Sequence, residues 1–499
     1  MSTSDIDSIK DADLEKVDVP SSSVIDHDPD AEFGGYEARK ALERKLLRKL
    51  DLRMSVLVVI YILNYMDRNN AGAARLKGLE EDLHLTGQEF PTLLSILYVG
   101  YILMQIPSNM LLNYLGKPSL QLPICMMLWG IISILTGCKV CAVTHKRVYS
   151  FVGTLLTRFF LGFVEAAFYP GALFLLSKWY KRNELGLRTA ILYCGSIISI
   201  AFGSLLASGI LDGMQGKLGQ AAWRWLFYIE GALTVFVAFC AIFVLPDFPA
   251  TEKGRWLSEQ EKRLALRRME EDAGVGDESE TEVSAWQGFV LAVKDWKVWW
   301  MALAMTSQVV CLSFNAFFPT LCATMGFSTT VTLLLCAPPF AWTALEAFVV
   351  SSRHSDKVGE RFWHCTTPFL FGILGFIIAV STMNTAARYV SLFLMAQCYA
   401  GFIVLFAWVS NTFPRPPAKR AVAVALVNAF SQLGNVAGSY VWPSTWGSSY
   451  TNSYAICIST GGFSILILAV MKVHLESVNR KMDKEVTLDH SQTSFRYFS

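Results

Sequence analysis

Two short stretches of this 499-residue chain place formal charges among apolar neighbours. "NYMDRNNAGAARL" carries Asp67 and Arg68 side by side, and "RFFLGFVEAAFYPG" opens on Arg158 and holds Glu165 seven positions later. A charge at mid-membrane costs about 3 kcal/mol on insertion scales, so such residues are rare there and face a wet cavity or a partner. On a helix, Arg158 and Glu165 are two turns apart, on one face and separated by about 10 Å along the axis. That is long for a direct contact, yet both can address one cavity. Asp67 and Arg68 diverge by about 100° around their helix, so one can face a cavity while the other pairs with an adjacent span. The plainer reading, helix-end charges reaching for headgroups, suits Arg158 and fits Glu165 poorly, because apolar residues flank Glu165 on both sides. A buried carboxyl tends to hold a proton, and one against an arginine tends to release it. A glutamate whose arginine can be taken over by an anion is therefore a device for exchanging protons, and arginine is the residue suited to a two-point grip on a carboxylate.

The chain around these residues is 53% hydrophobic and 17% charged, well below the quarter of charged residues usual in a soluble domain. Twelve apolar blocks are long enough to cross a bilayer core about 30 Å thick. The first six lie near 54–74, 90–114, 119–140, 149–177, 187–211 and 225–245. The second six lie near 297–322, 329–350, 364–382, 388–411, 420–443 and 453–473. Block four is long and must tilt or run past the bilayer. The spacing predicts an all-α membrane protein of two six-helix bundles, 51–245 and 297–474. A polar central loop, 246–296, joins them and contains a short amphipathic helix. Tails at 1–50 and 475–499 complete the chain, the first read as disordered. Its polar, acidic start, "MSTSDIDSIKDADLEKVDVPSSS", lacks the basic and then apolar pattern of a cleaved signal peptide.

Lys and Arg crowd the segments that would share a side with both termini, notably Arg39 to Arg53 and the central loop, so the positive-inside rule puts both ends in the cytoplasm. One loop, "CKVCAVTHKRVYS", is basic but outside in this topology. Its Cys138 and Cys141 form a lone C-x-x-C, weak as a metal signature, and no metal or cofactor is expected. Nucleic acid is not expected as a partner, since no soluble basic domain exists to carry it. An enzyme is not expected either, as no nucleophile–base set or H-E-x-x-H pair occurs in the spans. The loop "SSRHSDKVGERFWH" holds Asp356 and Arg361, either an ordinary basic turn or a gate latch. Gly434 and Gly438, and the small residues of "GSIISIAFGSLLASG", mark close helix packing.

"NYMDRNNAGAARL", "YILMQIPSNMLL", "RFFLGFVEAAFYPGALFLLSKWY", "WRWLFYIEG", "SDKVGER" and "AWVSNTFPRPPAKRA" together resemble the major facilitator superfamily, and within it the fungal allantoate permease branch of the anion:cation symporters. The resemblance spans roughly residues 45 to 475. It implies a twelve-helix transporter working by alternating access, with proton coupling at Glu165 and Asp67. It also implies that Arg68 holds the substrate's carboxylate, that Arg158 tunes the glutamate, and that Tyr65 and Tyr101 line the site. Trp408 and Asn428 stand where the C-terminal half contributes contacts. The loop after span two, "NYLGKPS", departs from the superfamily's acid-and-arginine pattern, so the acidic latch survives only at Asp356. The expected activity is proton symport of a small organic anion, a vitamin-like or nitrogen-source carboxylate, by a monomer in the plasma membrane. An exporter of a secondary metabolite and a non-transporting nutrient sensor are the alternatives.

Overall fold

A computed structural model describes residues 31–138, 147–254, 256–277, 285–347, 355, 358–413, 416–447 and 449–489. Among them every regular element is a helix. The N-terminal group comprises α1 (Tyr36–Arg75), α2 (Glu89–Leu115), α3 (Pro118–Gly137), α4 (Arg147–Glu165), α5 (Phe168–Trp179), α6 (Arg182–Gly213) and α7 (Ala222–Val244). The linker forms α8 (Glu259–Asp277) and α9 (Ala285–Lys294). The C-terminal group comprises α10 (Trp296–Cys311), α11 (Phe318–Ala323), α12 (Thr329–Glu346), α13 (Phe362–Ser381), α14 (Thr385–Ala396), α15 (Cys398–Thr412), α16 (Pro417–Gly438) and α17 (Thr451–Asp489).

Ten helical stretches among the described residues are long and apolar enough to cross a membrane. The other two expected blocks are also helical. In α1, the polar run from Asn64 to Asn70 interrupts the apolar stretch that follows its charged first half, and α12 ends at Glu346 after 18 residues that include Pro338 and Pro339. Within each group the helices pack closely, α3 on α7 and α2 on α4 in the first, α10 on α16 and α13 on α14 in the second. The groups meet where α6 crosses α12 and α2 crosses α16.

Among the described residues, three spans lose regular α-helical hydrogen bonding part-way along. Block four stops at Glu165 and restarts at Phe168. Pro170 explains the break, since it has no N–H to offer the Ala166 carbonyl one turn back. Span seven passes through a 3-10 segment, Leu312–Phe317, before α11, where Pro319 deprives Asn315 in the same way. Span ten breaks at Gln397, where no proline or glycine accounts for it. Glu165 thus ends a helix at membrane depth instead of sitting inside one.

The expected boundaries shift at both tails. Residues 36–50 continue α1 and residues 475–489 continue α17, so neither stretch is an irregular tail. At 1.5 Å per residue the 40 residues of α1 reach about 60 Å, twice the bilayer core. The protruding part is held by α8, the amphipathic helix foreseen in the linker. Leu46 and Leu50 of α1 and Leu264 and Ala265 of α8 are buried there. Arg268 of α8 is fully buried between Glu43 at 2.5 Å and Glu184 at 2.6 Å. Lys49 donates to both oxygens of Glu261 at 2.8 Å.

Helix proximity at the centre rests on glycine. A Cβ at Gly162 would run into the Leu97 carbonyl, and one at Gly100 into the Phe159 carbonyl, so α2 and α4 touch backbone to backbone. Gly434 similarly lies against the Thr306 carbonyl, 2.6 Å from where its Cβ would be, and Gly438 against Ser313. Gly162→Ala should therefore lower the thermal unfolding midpoint in detergent, at an overpacking cost of about 1–3 kcal/mol or more. Gly186→Ala, at a position with open space around it, should leave the midpoint unchanged or raise it.

The α8 dock has its own pH signature. Burial pushes the Glu261 carboxyl up, but hydrogen bonds from Lys49 and the Ser258 amide, with the charges of Lys49 and Lys45, outweigh this and hold it below its ordinary value. A lowered folded-state pKa means stabilisation that is present above the unfolded value of about 4.3 and lost as the pH falls through the folded one. Protection against hydrogen exchange along α8, measured relative to the intrinsic rate at each pH, should fall in that acid window, and already at neutral pH in Lys49→Met.

Candidate functional site

The two groups of helices enclose a central cavity of about 110 Å³. Arg68, Tyr65, Tyr98 and Tyr101 form one wall, and Asn428, Gln432 and Asn435 of α16 contribute to the other. These three polar residues of α16 recur at i, i+4 and i+7 and so share one stripe of the helix. Asn435 donates from Nδ2 to the Gln432 Oε1 at 2.9 Å.

Arg68, with its side chain 8% exposed, faces this space together with Arg158, the other charged residue among the described lining. Its Nε and Nη2 both donate to one oxygen of Glu165, Oε2, at 3.1 and 2.9 Å. Glu165 stands behind it, fully buried, and its Oε1 has no hydrogen-bond partner. Because both bonds land on one oxygen, the rest of the guanidinium's donors are not spent on Glu165. Three rings surround the same guanidinium, with centroids at 5.0 Å for Tyr65, 5.8 Å for Tyr98 and 5.0 Å for Tyr101. Ring faces stabilise a desolvated cation without neutralising it.

Asp67 points the other way, into the first group of helices. Ser133 and Thr234 each donate a hydroxyl to it at 2.9 Å, one to each oxygen. Arg158 donates to the Asn70 Oδ1 at 2.9 Å and, at 3.4 Å, to the Asp67 carbonyl, and its guanidinium lies over the Phe227 ring. The sequence spacing associates Arg158 with Glu165, but the structure gives Glu165 to Arg68 as ion-pair partner. Arg68 of α1 lies against the end of α4, while Arg158, two turns back, reaches Asn70 and the Asp67 carbonyl.

Tyr65, Tyr101 and Asn428 line the cavity, while Trp408 does not: it is fully buried and packs edge-on to Phe362. The registers of α15 point Phe402 and Phe406, not Trp408, inward. Arg361 caps α13 and donates to the Ser355 Oγ at 2.9 Å, whereas Asp356 lies outside the described residues. Cys138 is a free thiol, and Cys141 likewise lies outside them. Among the described residues, no three His, Cys, Asp or Glu side chains are grouped to hold a metal ion.

Sequence reasoning passed over Tyr98, Gln432, Asn435 and Glu230. Glu230 had the same signal as Glu165, an acid inside an apolar run, and it is 2% exposed on α7.

Hydrogen bonds join the two groups at Asn69–Asn315, Thr92–Tyr440, Ser95–Tyr440, Ser208–Thr330 and Asp212–Thr330. Gly72 meets the Ala316 carbonyl there, and Arg75 lies over the Phe90 and Phe317 rings. These contacts lie toward the end of the molecule opposite α8. On the α8 side the cavity is bounded by rings from both groups, Tyr169 against Phe406 and Tyr193 against Phe402, each pair 6.3 Å apart.

Two helical groups around a central polar chamber define a multi-pass membrane transporter. The chain matches the Major Facilitator Superfamily over residues 57–481 and belongs to that family. It is 32% identical over 437 residues to the MFS-type transporter cnsO of Penicillium expansum, covering 85% of this chain and 80% of that one. It is 30% identical over 422 residues to a putative tartrate transporter of Agrobacterium vitis, covering 83% and 90%. In fold it is similar to the xylose transporter XylE from E. coli in a partially occluded inward open conformation, with a TM-score of 0.67, 15% identity, and 85% and 97% of the two chains covered.

Removing one member of a buried ion pair leaves the other uncompensated, at about 3–5 kcal/mol. Arg68→Ala should therefore lower thermal stability in detergent more than the double variant Arg68→Ala/Glu165→Gln does. Additive losses in that double-mutant cycle would show that the two side chains are not coupled.

Proposed function

We propose that this protein is a proton-coupled symporter of a small organic anion, of the allantoate permease type, working by alternating access in the plasma membrane as a monomer. The observation that carries the reading is Arg68, shared between a buried carboxylate, Glu165, and the central cavity. A carboxylate-bearing substrate entering the cavity competes with Glu165 for the guanidinium. Once displaced, Glu165 would be an unpaired charge in a low-dielectric interior, which is unfavourable by several kcal/mol. Taking up a proton removes that penalty, so binding the anion and binding the proton favour each other. Return of Glu165 to Arg68 expels both. Tyr65 and Tyr101 supply hydroxyls and ring faces beside the anion, and Asn428 an amide from the opposite wall. Asp67 is a second acid on the proton's route, and Arg158 holds its segment of α1 in place. Asp356 and Arg361 would act as the latch on the α8 side.

The Lys and Arg residues of α1, α8 and the neighbouring loops support placing that side, and both termini, in the cytoplasm. With the opposite end closed and rings across the α8 side, the arrangement is that of an inward-facing, partly occluded state, as in the partially occluded inward open structure of XylE. The tartrate transporter's name supports a small carboxylate as cargo.

Reconstitution in liposomes tests the proposal with labelled nicotinate, allantoate, pantothenate, biotin and tartrate under an imposed proton gradient. Wild type should accumulate at least one of them when the gradient drives it. Glu165→Gln should lose gradient-driven accumulation and keep exchange, and Arg68→Lys should raise KM about tenfold or more through loss of the forked grip. Undiminished gradient-driven uptake by Glu165→Gln would remove the glutamate from the mechanism.

A further inference from the structure

A second, smaller chamber adjoins the central cavity. It occupies about 30 Å³ and is lined by Asn69, Asn70, Ser199, Ser204, Glu230 and Asn315, with apolar groups between them. Asn69 and Asn315 also line the central cavity, and the two side chains meet at 3.5 Å, so this pair forms the partition. The volume suffices for one or two water molecules.

Four polar atoms around the chamber are not satisfied by protein. Glu230 Oε2, Asn69 Nδ2, Asn70 Nδ2 and Asn315 Oδ1 are all buried without a hydrogen-bond partner. Two of these are acceptors and two are amide donors. Water offers both kinds of partner, whereas an alkali cation needs oxygen alone and would face the two amides.

A count of buried charge points the same way. Asp67, Glu165 and Glu230 are three acids, and Arg68 and Arg158 are two bases, all at most 8% exposed as side chains or as whole residues. Arg68 is matched by Glu165. Arg158 of α4 is left to offset both Asp67 of α1 and Glu230 of α7, the charged groups that face one another here. The chamber-lining residues of α6 are uncharged. Asp67 accepts two hydroxyl hydrogen bonds, which stabilise its ionised form. Glu230 Oε2 accepts none, and the Asn70 amide is the polar side chain beside its carboxyl.

We propose that Glu230 is a further proton site, beyond Glu165 and Asp67, served by water in the side chamber, and that it carries a proton in the state where Glu165 is ionised against Arg68. Protonation moves one proton from chamber water to Glu230 and leaves the buried set neutral. An arriving substrate anion then requires a further proton, which Glu165 takes. Only that last step rests on the symport reading above.

Infrared difference spectroscopy on the full-length protein in nanodiscs tests the assignment, with protons and deuterons as the probe. At neutral pH, wild type should show a protonated-carboxyl band that is lost in Glu230→Gln and retained in Glu165→Gln. A band unchanged in Glu230→Gln overturns the proposal, as does a band removed by replacing choline chloride with sodium chloride. Ser204→Leu keeps the carboxyl but fills the chamber, and should slow the band's shift in D₂O. An exchange rate equal to wild type overturns the water route even if Glu230→Gln proves unfolded. Failure of the symport reading shows elsewhere, as gradient-driven uptake surviving in Glu165→Gln, and leaves the band assignment untouched.

Discussion

The ion pair between Arg68 and Glu165 constrains everything around it. In water it would contribute little; behind a wall of helices, each partner alone is an unfavourable charge. The pair therefore fixes α1 against the end of α4, and it does so at one edge only, since a single carboxylate oxygen takes both hydrogen bonds. Three tyrosine rings hold the guanidinium in place without supplying a competing negative charge. That combination, a strongly held cation with an incompletely used donor set, is what a site for an exchangeable anion needs.

The scaffold serves that requirement by breaking its own helices. Pro170 ends α4 at Glu165, and Pro319 follows the irregular turn that carries Asn315 into both cavities. In lipid, interrupted backbone is tolerated only where it is buried in protein or lines a cavity. The glycine contact at Gly100 and Gly162 brings α2 and α4 close enough for Tyr98 and Tyr101 to reach the Arg68 guanidinium. Outside the membrane, α8 ties the protruding end of α1 to the start of α6 through Arg268, so the first helical group presents one stiff body to the second. Such stiffness suits a protein whose two halves rock about a central site.

Much of the site was legible in the chain because the membrane makes ions conspicuous. Asp67, Arg68, Arg158 and Glu165 stand out from apolar neighbours, and the structure gathers all four around one region. Glu230 carries the same mark, beside the aromatic residues of its span. Asn428, Gln432 and Asn435 share a stripe that helical periodicity can reveal. Trp408 shows the reverse: its place in a motif-like stretch suggested the cavity, but the register of α15 buries it against Phe362.

The sequence alone determined the class of the fold, because apolar length and the spacing of charged loops are one-dimensional properties that a bilayer reads directly. It also determined which side chains would be uncomfortable there. Tertiary structure decided their partners: Arg68 rather than Arg158 for Glu165, two hydroxyls for Asp67, and a separate wet chamber for Glu230. Pairing depends on how α1, α4 and α7 are rotated and where a proline interrupts them. Those rotations are set by close contacts between residues far apart in the chain, which no local pattern encodes.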